Sequence, residues 1–192
     1  MHNHRFINQK AKQTLVVFHG MGSSKEDMID LAMHVAPHHN LLLLDGSDLS
    51  SGMRRYFKRT ATGLDLEDLQ KQALIIAQDL ELLSIEYGLH DQPFDAMGYS
   101  NGANMILGMV LKNTFNFRKA LILRPAYLDL DRVDGATTIV RLQLATHDQY
   151  LGPSDRERLL TKLTPLNPQT KLYPGSHPLT EDDVKDAQAF FR

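Results

Sequence analysis

The feature that most constrains the fold is a series of short apolar runs separated by longer amphipathic segments. The runs lack the alternation of polar and apolar residues seen in half-exposed strands, so they are typical of strands buried on both faces of a parallel sheet. The intervening segments place apolar residues at helical spacing. This alternation predicts an α/β fold with a mostly parallel, doubly wound sheet flanked by helices. The predicted strands are 14–18, 41–44, 94–98, 120–123, 138–144 and 171–173.

Residues that favour helix starts stand in front of several of the amphipathic segments. Side chains that can cap a helix or pre-set its first turn are preferred at these positions. The predicted starts are Asp65, Pro153 and two capping boxes, Ser23 with Glu26 and Thr180 with Asp183.

Length and composition exclude several classes of protein. The 192 residues predict a single domain spanning 1–192. The 21 Lys and Arg balance 23 Asp and Glu, so we expect neither nucleic acid nor a membrane surface as a partner. The absence of cysteine excludes disulfides and cysteine nucleophiles. No apolar run is long enough to span a bilayer, and residues 1–5 lead into no signal-peptide core, so we expect a cytoplasmic protein. The sequence leaves open whether the protein is a monomer or a homodimer.

The longest stretch without clear periodicity is 46–63, which contains several basic residues. Loops of this length in a compact domain are usually functional or disordered, so we predict that 46–63 covers the active site, with no separate lid domain. Two interpretations of its positive charge stay open. The loop either favours anionic substrates or is an ordinary solvated surface.

Residues 98–102 read Gly-Tyr-Ser-Asn-Gly, which matches the pattern G-x-S-x-G between a predicted strand and a predicted helix. That context is typical of a nucleophile elbow, in which a strained turn projects a serine hydroxyl from the carboxyl end of the sheet. Small residues at 98 and 102 let the helix pack closely against the strand. Ser100 is therefore the candidate nucleophile.

A serine nucleophile needs a base and an acid, and an elbow serine predicts that both follow it in the chain. His177 lies after the last predicted strand, and Pro178 keeps it out of the following helix. Asp148 follows the strand that ends near residue 144, where its carboxylate can orient the imidazole. His147 is disfavoured as the base because it adjoins that acid. The competing acids are Asp129, Asp131 and Asp134.

Stabilising the oxyanion requires backbone N–H donors, one after the nucleophile and one after an early strand. These are Asn101 and Met21, the latter between two glycines. We interpret His19 as a structural histidine hydrogen-bonded beneath that loop. We expect no metal, because His34, His38 and His39 are interpreted as a surface histidine cluster without a completing acid.

Four segments together resemble the phospholipase/carboxylesterase family of small serine hydrolases, and within it the bacterial hydroquinone-resistance branch. Residues 19–22 resemble the family's oxyanion motif, and 98–102 its nucleophile motif. Residues 52–59 resemble the branch's G-M-x-R-F-F-x-R stretch, and 175–179 the family's G-G-H-x-L motif.

The resemblance implies an α/β-hydrolase fold, a Ser100, Asp148 and His177 triad, and hydrolysis of small carboxylic esters without a cofactor. It also implies that Met53, Tyr56 and Phe57 contact the substrate. The alternatives are a lysophospholipase or acyl thioesterase with the same triad, and a non-catalytic binder of small molecules on this scaffold.

Overall fold

A mixed sheet with helices on both faces forms the centre of the molecule, which confirms the predicted α/β class. The computed structural model describes residues 1–50, 52–61 and 63–192. The strands are β1 (His4–Ile7), β2 (Thr14–Phe18), β3 (Asn40–Leu44), β4 (Arg59–Thr60), β5 (Gly63–Leu64), β6 (Phe94–Tyr99), β7 (Lys119–Leu123), β8 (Ile139–Ala145) and β9 (Gln169–Tyr173). The α-helices are α1 (Ile29–Val35), α2 (Leu66–Glu86), α3 (Asn101–Leu111), α4 (Pro153–Leu163) and α5 (Glu181–Phe191).

The strand order of the main sheet is β1-β3-β2-β6-β7-β8-β9. Strand β1 is antiparallel to β3, and the other neighbours are parallel. From β2 the chain first moves to β3 on one side and then crosses to β6 on the other. The carboxyl ends of β2 and β6 therefore flank the point where the winding direction reverses, which is where ligands bind in open α/β sheets.

Alternate residues of the central strands pack on opposite faces of the sheet. Val16, Phe18 and Leu42 join the core beneath α2, α3 and α4. Leu15 and Val17 join the core beneath α1 and α5. Burial on both faces explains why the sequence shows continuous apolar runs here. Within the described residues, no helix combines the length and the apolarity needed to cross a membrane.

All the predicted strands are present, and their ends differ from the predicted ones by at most two residues. The pattern did not indicate β1, because an edge strand that is only partly buried needs no apolar run. It also did not indicate the short β4–β5 pair, whose first strand lies in the predicted cover loop 46–63. Ser51 and Thr62 of that loop lie outside the described residues.

Three of the four predicted helix starts are confirmed. Asp65 caps α2, Pro153 is the first residue of α4, and Thr180 with Asp183 forms a capping box at α5. The predicted box of Ser23 with Glu26 is wrong. The carboxylate of Asp27 accepts hydrogen bonds from both serine hydroxyls at 23 and 24 instead, and a short 3-10 turn precedes α1.

Candidate active site

Ser100 stands at the tight turn between β6 and α3, as the elbow pattern predicts. Its φ of 53° and ψ of −111° lie in a region that residues with a side chain rarely adopt. Its backbone N–H donates to the carbonyl of Leu123 on the neighbouring strand at 2.9 Å. This bond ties the strained turn to β7 at the carboxyl edge of the sheet.

The two elbow glycines are sterically required. A Cβ at Gly98 would lie 2.6 Å from the backbone carbonyl atoms of Gly102. A Cβ at Gly102 would lie 2.4 Å from the carbonyl oxygen of Phe18 on β2. Distances this short exclude any side chain, so the glycines allow α3, β6 and β2 to meet beneath Ser100.

Asp148 and His177 form a hydrogen-bonded pair although 29 residues separate them. The imidazole Nδ1 lies 3.0 and 2.9 Å from the two carboxylate oxygens. The backbone N–H of Tyr150 also donates to this carboxylate, at 2.9 Å. The acid is almost fully buried, and the His177 side chain is 13% exposed. A carboxylate on Nδ1 leaves Nε2 as the nitrogen available for proton transfer.

Two tyrosines hold the His177 ring in place. The Tyr99 ring lies 5.2 Å from it, and the Tyr150 ring meets it edge-on at 4.7 Å. The Tyr99 hydroxyl also donates to the His177 carbonyl at 3.2 Å. Burial raises the pKa of Tyr99, which keeps this donor protonated. The sequence did not single out either tyrosine, because Tyr99 occupies a variable position of the elbow motif and Tyr150 belongs to no motif.

Ser100 and His177 line one cavity of about 670 Å³, together with Met21 and Asn101. Both residues are described by the structure, and the Ser100 hydroxyl makes no hydrogen bond to the His177 imidazole. In enzymes without a ligand, such bonds are often long and tighten only when substrate binds.

The backbone N–H groups of Met21 and Asn101 both belong to residues of the cavity wall. Across residues 1–50, 52–61 and 63–192, neither N–H donates to a protein acceptor. The side-chain oxygen of Asn101 instead accepts from the backbone N–H of Tyr56 at 2.8 Å, which fixes the start of α3. Two free N–H donors beside Ser100 are what an oxyanion requires.

His19 is fully buried beneath the oxyanion loop, in agreement with the structural role expected for it. Its Nδ1 lies 2.7 Å from the carbonyl of Gly20, and its Nε2 accepts from the backbone N–H of Gly46 at 3.0 Å. This pairing corresponds to a neutral imidazole with the proton on Nδ1. Because the Gly20 carbonyl and the Met21 N–H belong to one peptide unit, His19 orients the donor in the cavity.

We predict that His19 makes the stability of the fold sensitive to acid. Burial lowers the pKa of His19 below its usual value of 6.5, so the unfolded chain binds a proton at a pH where the folded chain does not. The free energy contributed by neutral His19 is therefore fully present above pH 6.5 and falls as the pH drops toward the folded pKa. The loss cannot exceed ~1.4 kcal/mol per pH unit for one group.

Denaturant unfolding of the wild type, His19→Gln and the exposed control His34→Gln at pH 7.5 and 5.5 measures this effect. The wild type and the His34 variant should lose more stability between these pH values than the His19 variant. An identical pH dependence in all three proteins would contradict the assignment.

The structure does not bring the three predicted substrate contacts to the cavity wall. Tyr56 and Phe57 have no exposed surface and belong to the core. The Tyr56 hydroxyl donates to the Leu44 carbonyl at 2.7 Å and accepts from the His19 backbone at 3.0 Å. Met53 is exposed beside Gly22 at the edge of the oxyanion loop. We therefore correct the expectation for the two rings, since they support the site from below.

The competing acids lie away from His177. Asp129 belongs to the cavity wall but does not contact His177, and hydrogen bonds from Lys162 and Tyr127 lower the pKa of its carboxyl. The backbone carbonyls of Asp131 and Asp134 accept from Lys112 and Asn113. His147 is exposed and contacts the Thr146 hydroxyl instead of Asp148. Only Asp148 among these acids contacts the predicted base.

The rest of the cavity wall was not predicted from the sequence. Arg59 and Leu64 contribute from the β4–β5 pair, so the predicted cover segment does reach the cavity. Tyr127, Arg124 and Arg158 also belong to the cavity wall.

Within the described ranges, no group of three or more His, Asp or Glu side chains could hold a metal ion. The predicted surface histidine cluster is wrong for His39, which is buried with its Nε2 2.9 Å from the carboxylate of Asp95.

Comparisons with known proteins give similarity over almost the whole chain. No family model matches it. A relative from Bacillus subtilis named "Putative hydrolase MhqD" is 24% identical over 194 residues, which cover 98% of this chain and 97% of the relative.

Two solved structures share both fold and some sequence with this chain. The Bacillus cereus carboxylesterase has a TM-score of 0.83 and 26% identity, over 100% of this chain and 93% of that one. YahD, solved with malic acid, has a TM-score of 0.81 and 25% identity, over 98% and 97%. These similarities agree with the resemblance in the motifs.

Proposed function

This chain is a phospholipase/carboxylesterase-type α/β hydrolase, and from that premise we propose that it cleaves small carboxylic esters through an acyl-enzyme on Ser100. The observation that most supports this proposal is the His177–Asp148 pair in the cavity that the elbow serine also lines. The carboxylate would hold the imidazole in one tautomer and stabilise the imidazolium formed during reaction.

In the first step, His177 Nε2 takes the proton from the Ser100 hydroxyl while the oxygen attacks the ester carbonyl carbon. A tetrahedral oxyanion forms. The bond to the leaving alcohol then breaks, and the imidazolium gives its proton to that alcohol. The products of this step are the free alcohol and an acyl group on Ser100.

In the second step, a water molecule replaces the alcohol. His177 Nε2 accepts a proton from the water as it attacks the acyl carbon, and the second oxyanion collapses with release of the carboxylic acid. The proton returns to the Ser100 oxygen, so the enzyme is restored and no external reductant or oxidant is needed.

The Met21 and Asn101 N–H groups would bind the oxyanion in both steps. Asn101 is the first residue of α3, so its N–H lies at the positive end of the helix dipole. Donors held by surrounding structure are worth ~3–4 kcal/mol each in comparable sites, because they need no reorganisation during the reaction. His19 and Tyr56 provide that support here.

The size of the cavity supports a small ester as substrate. Sites for small molecules commonly have volumes of roughly 300–1,000 Å³, and this cavity measures about 670 Å³. A short acyl group with a short alcohol fits such a volume better than a long-chain lysophospholipid does.

We predict that a fluorophosphonate probe labels one serine in the folded protein, Ser100. The probe reacts with a hydroxyl only where a base and an oxyanion site activate it. Mass spectrometry of the digested protein should place the adduct on the peptide that contains Ser100. Ser84→Ala, which alters a serine on α2 outside the cavity wall, should be labelled at the wild-type rate. Labelling at another serine in the folded protein would contradict the proposal.

A further inference from the structure

Asn104 is a mostly buried asparagine in the wall of the active-site cavity. It lies on α3 four residues after Ser100, and only 4% of its surface is exposed. A side-chain amide has an oxygen that accepts hydrogen bonds and a nitrogen that donates them. Burying such a group is unfavourable unless both ends are paired, so the partners of each end indicate what the residue does.

The protein fixes the orientation of this amide through its oxygen. Asn104 Oδ1 accepts a hydrogen bond from the backbone N–H of Ala126 at 2.9 Å. The reversed orientation would place the NH₂ group against that N–H, and two donors cannot pair. The nitrogen Nδ2 is therefore the end of the side chain that the protein leaves for another partner.

The Asn104 nitrogen is both free and reachable. Among the described residues, Nδ2 donates to no protein acceptor, yet it is not one of the fully buried polar atoms that lack a partner. It therefore keeps accessible surface. Because the rest of Asn104 is buried and the residue lines the cavity, that surface faces the cavity. A molecule bound there can accept a hydrogen bond from Nδ2.

Asn104 is also close to the nucleophile. Its backbone N–H donates to the Ser100 carbonyl at 3.0 Å, so the first turn of α3 connects the two residues. Residues four positions apart on a helix share one face, with roughly 5–6 Å between their Cβ atoms. Both residues line the same cavity. An ester attacked by Ser100 therefore brings atoms a few bonds from its carbonyl carbon within reach of Asn104.

The carboxylates of the cavity wall do not pair with this nitrogen. Asp129 forms an ion pair with Lys162, and Asp155 forms one with Arg158. The acceptor that completes the Asn104 amide must then come from a bound molecule or from water. An amide nitrogen carries no full charge, so an uncharged oxygen is sufficient as its partner.

Asn101, one turn earlier on α3, shows a related arrangement. Its Oδ1 accepts from the Tyr56 N–H at 2.8 Å, and its Nδ2 has no acceptor in the described part of the chain. The backbone N–H of Asn101 already binds the oxyanion in the proposed mechanism, so replacing this residue would disturb that donor. Recognition of the substrate is therefore tested at Asn104.

We propose that Asn104 determines specificity by donating a hydrogen bond from Nδ2 to a second carbonyl oxygen of the substrate. The preferred substrates are then small esters with a keto or similar oxygen a few bonds from the ester group. This inference rests on the proposed esterase function and adds the chemical class of the substrate. An ester with an alkyl group at this place would leave the donor without a partner, which disfavours it.

The first test uses two pairs of esters in which a methyl branch replaces the keto oxygen. Methyl 4-oxopentanoate is compared with methyl 4-methylpentanoate for the acyl side, and 2-oxopropyl acetate with isobutyl acetate for the alcohol side. Each kcat/KM is divided by the alkaline hydrolysis rate constant of the same ester, which corrects for intrinsic reactivity. In the wild type, this value should be ~5-fold or more higher for the keto member of at least one pair. Equal values in both pairs, or preference for the alkyl members, would overturn the inference even if no variant folded.

The keto-to-alkyl ratio of kcat/KM is then measured for Asn104→Asp. This variant keeps the shape of the side chain and an oxygen for the Ala126 N–H, but an acceptor replaces the donor. The matched control is Asn113→Asp, just after α3, whose Nδ2 donates to the Asp134 carbonyl outside the cavity wall. The ratio should fall ~5- to 50-fold in the Asn104 variant and stay at the wild-type value in the control.

A ratio does not depend on the fraction of folded enzyme, so a loss of stability cannot imitate the expected result. The uncharged variant Asn104→Leu should also lower the ratio, because it lacks the donor as well. An unchanged ratio in Asn104→Asp, or an equal fall in Asn113→Asp, would overturn the assignment. A fall in Asn104→Asp without one in Asn104→Leu would assign the effect to the new charge and would overturn it too.

Binding without turnover separates this inference from the proposed function. Ser100→Ala is titrated with both members of each pair, and the dissociation constants are measured by ligand-observed NMR. The keto member should bind ~5-fold or more tightly in at least one pair, and adding Asn104→Asp should remove the difference. If the wild type hydrolyses no ester but this difference is found, the proposed function fails and the donor site stands. If alkyl esters are hydrolysed but the keto members gain neither rate nor affinity, the donor site fails and the esterase stands.

Discussion

Replacing Ser100 with alanine is expected to lower kcat/KM for a short ester by on the order of 10⁴- to 10⁶-fold. The variant keeps the oxyanion donors and the cavity but loses the atom that forms the acyl bond. Because alanine and serine both carry a Cβ, the strained φ of 53° at this position is kept, and the free energy of unfolding should change little.

Titration of the released acid, together with thermal unfolding of the same samples, measures both quantities. Ser84→Ala is the control for a serine outside the cavity wall. Ser100→Gly should be just as inactive but more stable by ~1 kcal/mol or more, because glycine adopts a positive φ without strain. Retained activity in Ser100→Ala would exclude the acyl-enzyme mechanism and leave the elbow as a structural turn.

Replacing Asp148 with asparagine is expected to lower kcat by on the order of 10³- to 10⁴-fold. The carboxylate accepts from His177 Nδ1 and from the Tyr150 backbone. An amide of the same shape carries no charge, so it neither enforces the required tautomer nor stabilises the imidazolium. The defect should appear in kcat more than in KM, because the imidazolium forms only during the reaction.

The matched control is Asp131→Asn, which changes an acid that the sequence left as a competitor and that is not part of the cavity wall. The kcat of this variant should lie within ~2-fold of the wild-type value, because surface substitutions usually have small effects. The fluorophosphonate probe should also label Asp148→Asn more slowly than the wild type, because labelling requires activation of the Ser100 hydroxyl by His177. A larger loss in the Asp131 variant than in the Asp148 variant would mean that the acid has been misassigned.

The family resemblance and the local motifs predicted much of this architecture, and particular residues show why. Leu15 and Val17 face one core while Val16 and Phe18 face the other, so a buried parallel strand must read as an unbroken apolar run. A Cβ at Gly98 would lie 2.6 Å from the backbone of Gly102, only four residues along the chain, so the elbow leaves a recognisable pattern. Such features depend on neighbours in the chain and are visible in it.

The prediction that Tyr56 and Phe57 contact the substrate was wrong, because their position depends on distant parts of the chain. An apolar aromatic residue in an aperiodic segment fits either a cavity wall or a core, and sequence spacing does not distinguish them. The hydroxyl of Tyr56 forms hydrogen bonds with the Leu44 carbonyl and the His19 backbone N–H, which belong to two other parts of the chain. Its burial follows from where β2 and β3 end.

The sequence by itself determined which segments along the chain form strands and helices, the turn that holds Ser100, and the residue types able to serve as acid and base. Only the tertiary structure decided that Asp148 and His177 meet, that His19 orients the Met21 peptide, and that Tyr56 belongs to the core. The physical reason is range: periodicity and turn sterics act between residues close in the chain. Contacts in the site depend on the strand order and on the reversal between β2 and β6, which bring distant strand ends to one edge of the sheet.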